Sequence, residues 1–248
     1  MQKRLLLTSS IFFLVLVSNA QFSKGDKMVG TTIGTVFFNS AKTEYSYPAP
    51  TVGYSYNVNS FGINLTPQYG WFITDKVVIG ADFILRYDHQ KAFDKDGSTG
   101  NTFTEDISSN FDIGIGGFAR DYFSTSGSFY PFGQVSVNFG LSSAKSNGFY
   151  FAGADKNTYN GQSSGDLFAN AGVSFGFTKM VNKHAGLEVF IGYNYSYNKN
   201  NFKTTTLTDL GNNGSVDQTS VSNPTSKYTN NGVSAGLGFQ IFLDRNKK

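Results

Sequence analysis

The sequence predicts an all-β fold, an eight-stranded antiparallel transmembrane β-barrel with short periplasmic turns and long extracellular loops. Three observations carry it. Apolar and polar residues alternate over eight stretches, the connectors between them are alternately short and long, and no stretch after the leader approaches the ~18 consecutive apolar residues of a membrane-crossing helix. The alternation is clearest in LEVFIGYNYSYN, Leu187 to Asn198, where Leu187, Val189, Ile191, Tyr193, Tyr195 and Tyr197 share one face. Successive side chains of a strand leave opposite faces, so this face meets one environment and Glu188, Phe190 and Gly192 another. Twelve residues tilted by about 40° rise about 30 Å, enough to cross an apolar membrane layer.

The chain opens with Lys3 and Arg4, a short apolar run from Leu5 to Val17, and the small residues Ser18 to Ala20. That is the layout of a secretory signal peptide over residues 1–20, cleaved near Ala20–Gln21, with a single barrel domain over 21–248. Net charge is +3, and without Lys3 and Arg4 it is +1, which leaves no electrostatic footprint for nucleic acid. There are no cysteines, which excludes disulfides, thiolate metal sites and thiol nucleophiles together. Mean hydropathy is −0.24, as in soluble chains, but a barrel hides an apolar surface within such an average because only alternate residues face lipid.

The strands follow in order. The first, Met28 to Phe38, is the least regular. Phe61 to Tyr69 and Val77 to Tyr87 come next, then Phe111 to Arg120 and Pro131 to Leu141. Leu167 to Phe177, Leu187 to Asn198 and Val233 to Leu243 complete the set. The connectors 70–76, 122–128 and 179–186 are short, whereas 39–60, 88–109, 142–166 and 199–231 are long and polar. Loops sorted this way suit a membrane barrel with its long loops outside the cell. Tyr69, Trp71, Phe129 and Tyr130 near the short turns, and Tyr193, Tyr195 and Tyr197 near the other boundary, would form two aromatic girdles.

Several stretches resemble the small OmpA/OmpX-type outer-membrane barrels, especially those common in Bacteroidetes-like bacteria. They are PQYGWFITDKVVIGADF, FYPFGQVSVNFG and the closing SAGLGFQIF. The resemblance implies a Gram-negative outer-membrane location and a monomer in contact with membrane lipid and lipopolysaccharide. It also implies insertion by the barrel-assembly machinery, with Ser234, Gly236, Phe239 and Ile241 as the assembly signal. The closing stretch departs from the common pattern, because Leu243 and DRNKK follow it rather than a terminal aromatic.

Opposite the lipid face, side chains point into a narrow lumen where charges must pair. Arg86 with Asp112 and Arg120 with Glu188 are the expected ion pairs, and Asp82 has no evident partner. Chemistry is sparse. His89 beside Asp88 is a faint echo of barrel hydrolases, and His184 falls in a turn at the opposite end. Asp94, Asp96, Ser98 and Glu105 have the spacing of a calcium loop, but Thr99 stands where the turn requires Gly. No catalytic residue, metal site or cofactor is expected. The expected role is non-enzymatic, structural or surface-interacting through the outer loops. A narrow solute channel is the first alternative. A soluble lipocalin-like ligand-binding barrel, with its apolar face inward, is the second.

Overall fold

The computed structural model describes residues 22–47, 53–124 and 127–244, so the expected signal peptide lies outside the described residues. Among the described residues the chain forms one antiparallel sheet of ten strands. They are β1 (Lys27–Tyr45), β2 (Tyr54–Phe72), β3 (Val77–Asp96), β4 (Thr102–Tyr122), β5 (Phe129–Ala152), β6 (Asp155–Met180), β7 (Ala185–Asn201), β8 (Lys203–Asp209), β9 (Gln218–Ser222) and β10 (Thr225–Leu243). Two of the ten strands, β8 and β9, were not expected. Residues 199–231 are not a loop: β8 pairs with the far part of β6, and β9 pairs with β8. Both are Thr- and Ser-rich segments without apolar–polar alternation, so their strand propensity left no periodic signal.

The other long connectors are corrected in the same way. Strands run well past the apolar stretches, so that Ala152 and Asp155 are separated by two residues and Asp96 and Thr102 by five. Polar hairpins extend the wall beyond the apolar zone. The short turns, the start of β1 and the end of β10 lie at one end of the sheet, the near end; the extended hairpins form the far end.

Neighbouring strands pair in sequence from β1 to β7, β7 pairs with β10, and β10 returns to β1. The ladder through these eight strands is closed. Starting at Ile33, the paired row runs through Leu65, Leu85, Ile113, Leu141, Leu167 and Lys199 to Lys227. Ile33 itself meets β10 at Leu237, so the closed ladder is sheared by ten residues. For eight strands, that shear implies a tilt of roughly 40°.

Burial settles which face is inside. Val137 is 62% exposed, Ile191 56%, and Leu237, Phe175 and Ile115 are likewise exposed. Their neighbours Asn138, Gly192 and Phe118 are buried within the ring. The apolar face is thus the outer face, opposite to a lipocalin-like arrangement. Phe168 fills the interior above two glycines: a Cβ on Gly114 or Gly140 would approach its Cζ to 2.8 or 2.7 Å. Tyr130 corrects the girdle assignment. Phe129 is exposed, so the next residue along the strand must point inward, and Tyr130 is buried with its hydroxyl donating to the Gly127 carbonyl at 3.1 Å.

Candidate functional site

The lumen is built in layers from the near end. Its floor is aromatic. The Phe22 ring, just before β1, packs within 4.5–5.2 Å of the rings of Phe72, Tyr122, Tyr130 and Phe242. Met28, Val78, Phe118, Phe132 and Met180 complete the cluster. The four strand residues around Phe22 have inward parity at strand ends, so the fold converges them at the mouth.

Above the floor, Arg120 of β4 reaches across to Glu188 of β7, with Nη1 2.5 Å from Oε1 and both side chains almost wholly buried. Nη1 also donates to the Tyr122 hydroxyl at 3.0 Å, and Nε donates to Gln134 Oε1 at 2.8 Å. Glu188 accepts from the Thr178 hydroxyl at 2.8 Å and from Gln240 Nε2 at 3.1 Å. The guanidinium lies over the Phe132 ring, 4.1 Å from its centroid. A buried pair persists only when its remaining donors and acceptors find partners, and Tyr122, Gln134, Thr178 and Gln240 supply four of them here.

Higher up, Asp82 is buried beside the Asn138 side-chain amide, which donates to it once the amide is turned to face its NH2 toward the carboxylate. Arg86 Nη1 lies 3.1 Å from Asp112 Oδ2, and Asp112 also accepts from Asn110 at 2.9 Å. Alongside these layers and reaching the far end lies a cavity of about 450 Å³, lined by amide, hydroxyl, carboxylate and guanidinium groups together with aliphatic and aromatic side chains.

The other expected residues are placed as follows. Tyr69 and Trp71 meet edge to face at 4.6 Å on the outer surface, and Phe129, Tyr193, Tyr195 and Tyr197 are exposed there. Ser234 accepts from Asn194 Nδ2 at 2.8 Å. Gly236 leaves room for the Phe190 ring, and Phe239 and Ile241 face outward. His89 contacts Ser109 at 2.9 Å on the outer face while Asp88 lines the cavity, so the adjacent pair does not converge. No group of His, Asp or Glu suited to a metal occurs among the described residues.

Asp96 holds a turn. Its Oδ1 accepts from the hydroxyl and N–H of Ser98 and of Thr99 at 2.7–3.0 Å. These bonds, the Ser98 hydroxyl first, hold its carboxyl down to about 2. A depressed carboxyl stabilises the turn above the unfolded value near 3.8, and that support fades as pH falls through about 2. Carboxyl NMR titration should find Asp96 near 2, and Ser98→Ala with Thr99→Ala should raise it toward 4.

Sequence reasoning missed the Phe22 plug and the roles of Gln134, Asn138, Thr178 and Gln240. The polar strand residues share the inward parity, which was a usable signal. Phe22 precedes the first strand, and no periodicity pointed to it.

Fold and site together define a closed antiparallel β-barrel with an apolar exterior, an aromatic floor and a cavity of mixed polar and apolar lining toward the far end. No family model matches the chain, and no curated protein matches it. Among solved structures it is similar to the outer membrane protein OprG from Pseudomonas aeruginosa, at 15% identity and a TM-score of 0.33, over 90% of this chain and 99% of that one. It is also similar to the outer membrane protease OmpT from Escherichia coli, at 12% identity and 0.38, over 90% and 98%. The COG4313 outer membrane channel from Pseudomonas putida F1 is similar at 7% and 0.19, over 92% and 100%. At these scores none of the likenesses bears on activity.

Proposed function

We propose that the chain is an outer-membrane barrel of eight transmembrane staves with a non-enzymatic, surface-interacting role at its far end. The observation that carries this is the outer face. Exposed apolar side chains surround the ring, from Val36 and Phe38 on β1 through Ile113, Phe139 and Phe175 to Val189 and Val233. Contiguous apolar exposure of this extent is not tolerated in water and suits lipid. Above it come Asn59, His89, Ser109 and Lys145, the polar start of the extended hairpins. Those hairpins present the surface available to a partner. Membrane fractionation tests the reading: detergent-dependent extraction and heat-modifiable mobility are expected, and recovery without detergent would end it.

The closing strand carries a related expectation. Phe239 pairs with Leu187 and Thr31, and Ile241 with Ala185 and Val29, at the closing seam. Changing both to Ser should lower the heat-modifiable barrel in the membrane several-fold. Unchanged assembly would show that this stretch is not the insertion signal.

A second reading, a narrow channel, is favoured by the polar cavity and opposed by the floor beneath it. Planar-bilayer recording separates the two. The parent should show no conductance steps; steady openings would favour the channel.

A further inference from the structure

The closed ladder is incomplete along one seam. β1 pairs with β10 only from Lys27 to Ile33, opposite Leu237 to Leu243. Beyond that point β1 continues to Tyr45 on β2 alone, and β10 begins at Thr225 on β7 alone. Gly34 to Tyr45 and Thr225 to Gly236 therefore have no ladder between them. The cause is local. A β-bulge at Gly34 breaks the register between Ile33 and Thr35, and a bulge bends its strand.

The opening begins inside the apolar belt. Its outer lips carry Phe38, 79% exposed, and Val233, 71% exposed, while the polar zone starts only at Ser40 and Asn231. Unpaired strand edges facing hydrocarbon leave peptide groups unsatisfied, so something polar must reach them there. The cavity supplies a route, since its lining runs from Asp82 and Asn138 to both lips, Gly34 and Phe37 on one side and Gly232 to Ser234 on the other.

The groups left unpartnered indicate what fits. Both lumen arginines are engaged, Arg86 by Asp112 and Arg120 by Glu188. Asp88 lines the cavity with no ion pair among the described residues. It shares the inward row of Gly62 with Phe37, the aromatic ring on the lip. Asn64 Oδ1, in the same cavity, is buried without a hydrogen-bond partner. The Asp88 carboxylate, near the Arg86 guanidinium but without an ion pair of its own among the described residues, and the unpartnered Asn64 carbonyl both call for a donor, and the lips call for an alkyl chain.

We propose that this seam is a lateral portal. Through it the lumen takes the cationic, hydrogen-bond-donating head of a single-chain amphiphile whose tail stays in the lipid between Phe38 and Val233. The cavity, at about 450 Å³, is in the small-ligand range. The proposal rests on the membrane reading above.

The test uses the full barrel in phosphatidylcholine nanodiscs with dodecylammonium and dodecanoate as probes, followed by NMR of the Asn64 side-chain amide. Dodecylammonium should shift that resonance saturably and dodecanoate should not. Asp88→Asn should weaken the response about tenfold, as expected for one lost charge-assisted contact. The chain has no cysteine, so Val36→Cys with Ala235→Cys can be bridged by a short bis-thiol linker without competing thiols. Bridging should block the response, and either single variant should keep it. Equal response to both probes, no response to either, or an unchanged response in the bridged barrel would overturn the portal. Failure of the protein to enter nanodiscs would instead overturn the membrane reading.

Discussion

Glu188→Ala is expected to cost about 3–5 kcal/mol, the usual penalty for leaving a buried charge without its partner. The side chains of Arg120 and Glu188 are 1% and 0% exposed, so the arginine would be left buried without its carboxylate. Thr178 and Gln240 would lose their acceptor as well. Replacing the pair together, Arg120→Met with Glu188→Leu, should cost less than the sum of the single changes and could come close to neutral. Arg86 and Asp112 make the useful contrast. The arginine is 35% exposed, so Asp112→Ala should cost less, on the order of 1–2 kcal/mol. Reversible urea unfolding into lipid vesicles measures both cycles, and equal penalties would show that burial does not set the difference.

The second large effect lies on the outer face. Val137→Arg or Ile191→Arg should each cost about 2–4 kcal/mol if these positions sit near the middle of the bilayer. The adjacent inward Ser136 should not show that depth-dependent penalty, and at Gly192 any cost should come from crowding against Ser174. The same unfolding assay reads all four positions. Tolerance of Arg at 137 and 191 would mean that this face does not meet lipid.

The sequence made the ring legible where one face was apolar. Val135, Val137, Phe139 and Leu141 marked β5, and parity put Arg86, Asp112, Arg120 and Glu188 together on the opposite face. Alternation could not say which face was inner; exposure in the folded chain does. Beyond the belt both strand faces are polar, so β8 and β9 and the upper halves of β5 and β6 looked like loops. Their hydrogen bonds are specified by register with a neighbouring strand, a long-range property that no local window contains. Tyr130 was misplaced because aromatic clustering was weighed above its parity with Phe129. The seam was illegible for a related reason: Gly34 marks a bulge only once its pairing with β2 is known.

The ion pair that spans the lumen also acts as a caliper on how the barrel closes. Side chains alternate with period two, so β1 and β10 can slip only by two residues without turning their faces inside out. The next larger shear would widen an eight-strand cylinder by about 1.5 Å, and the next smaller would narrow it by a similar amount. Arg120 and Glu188 lie three strands apart and meet at 2.5 Å, a span that neither mis-zipped cylinder reproduces without bending a side chain off its network. A contact at the floor thereby rejects wrong circumferences at the moment the last strand finds the first.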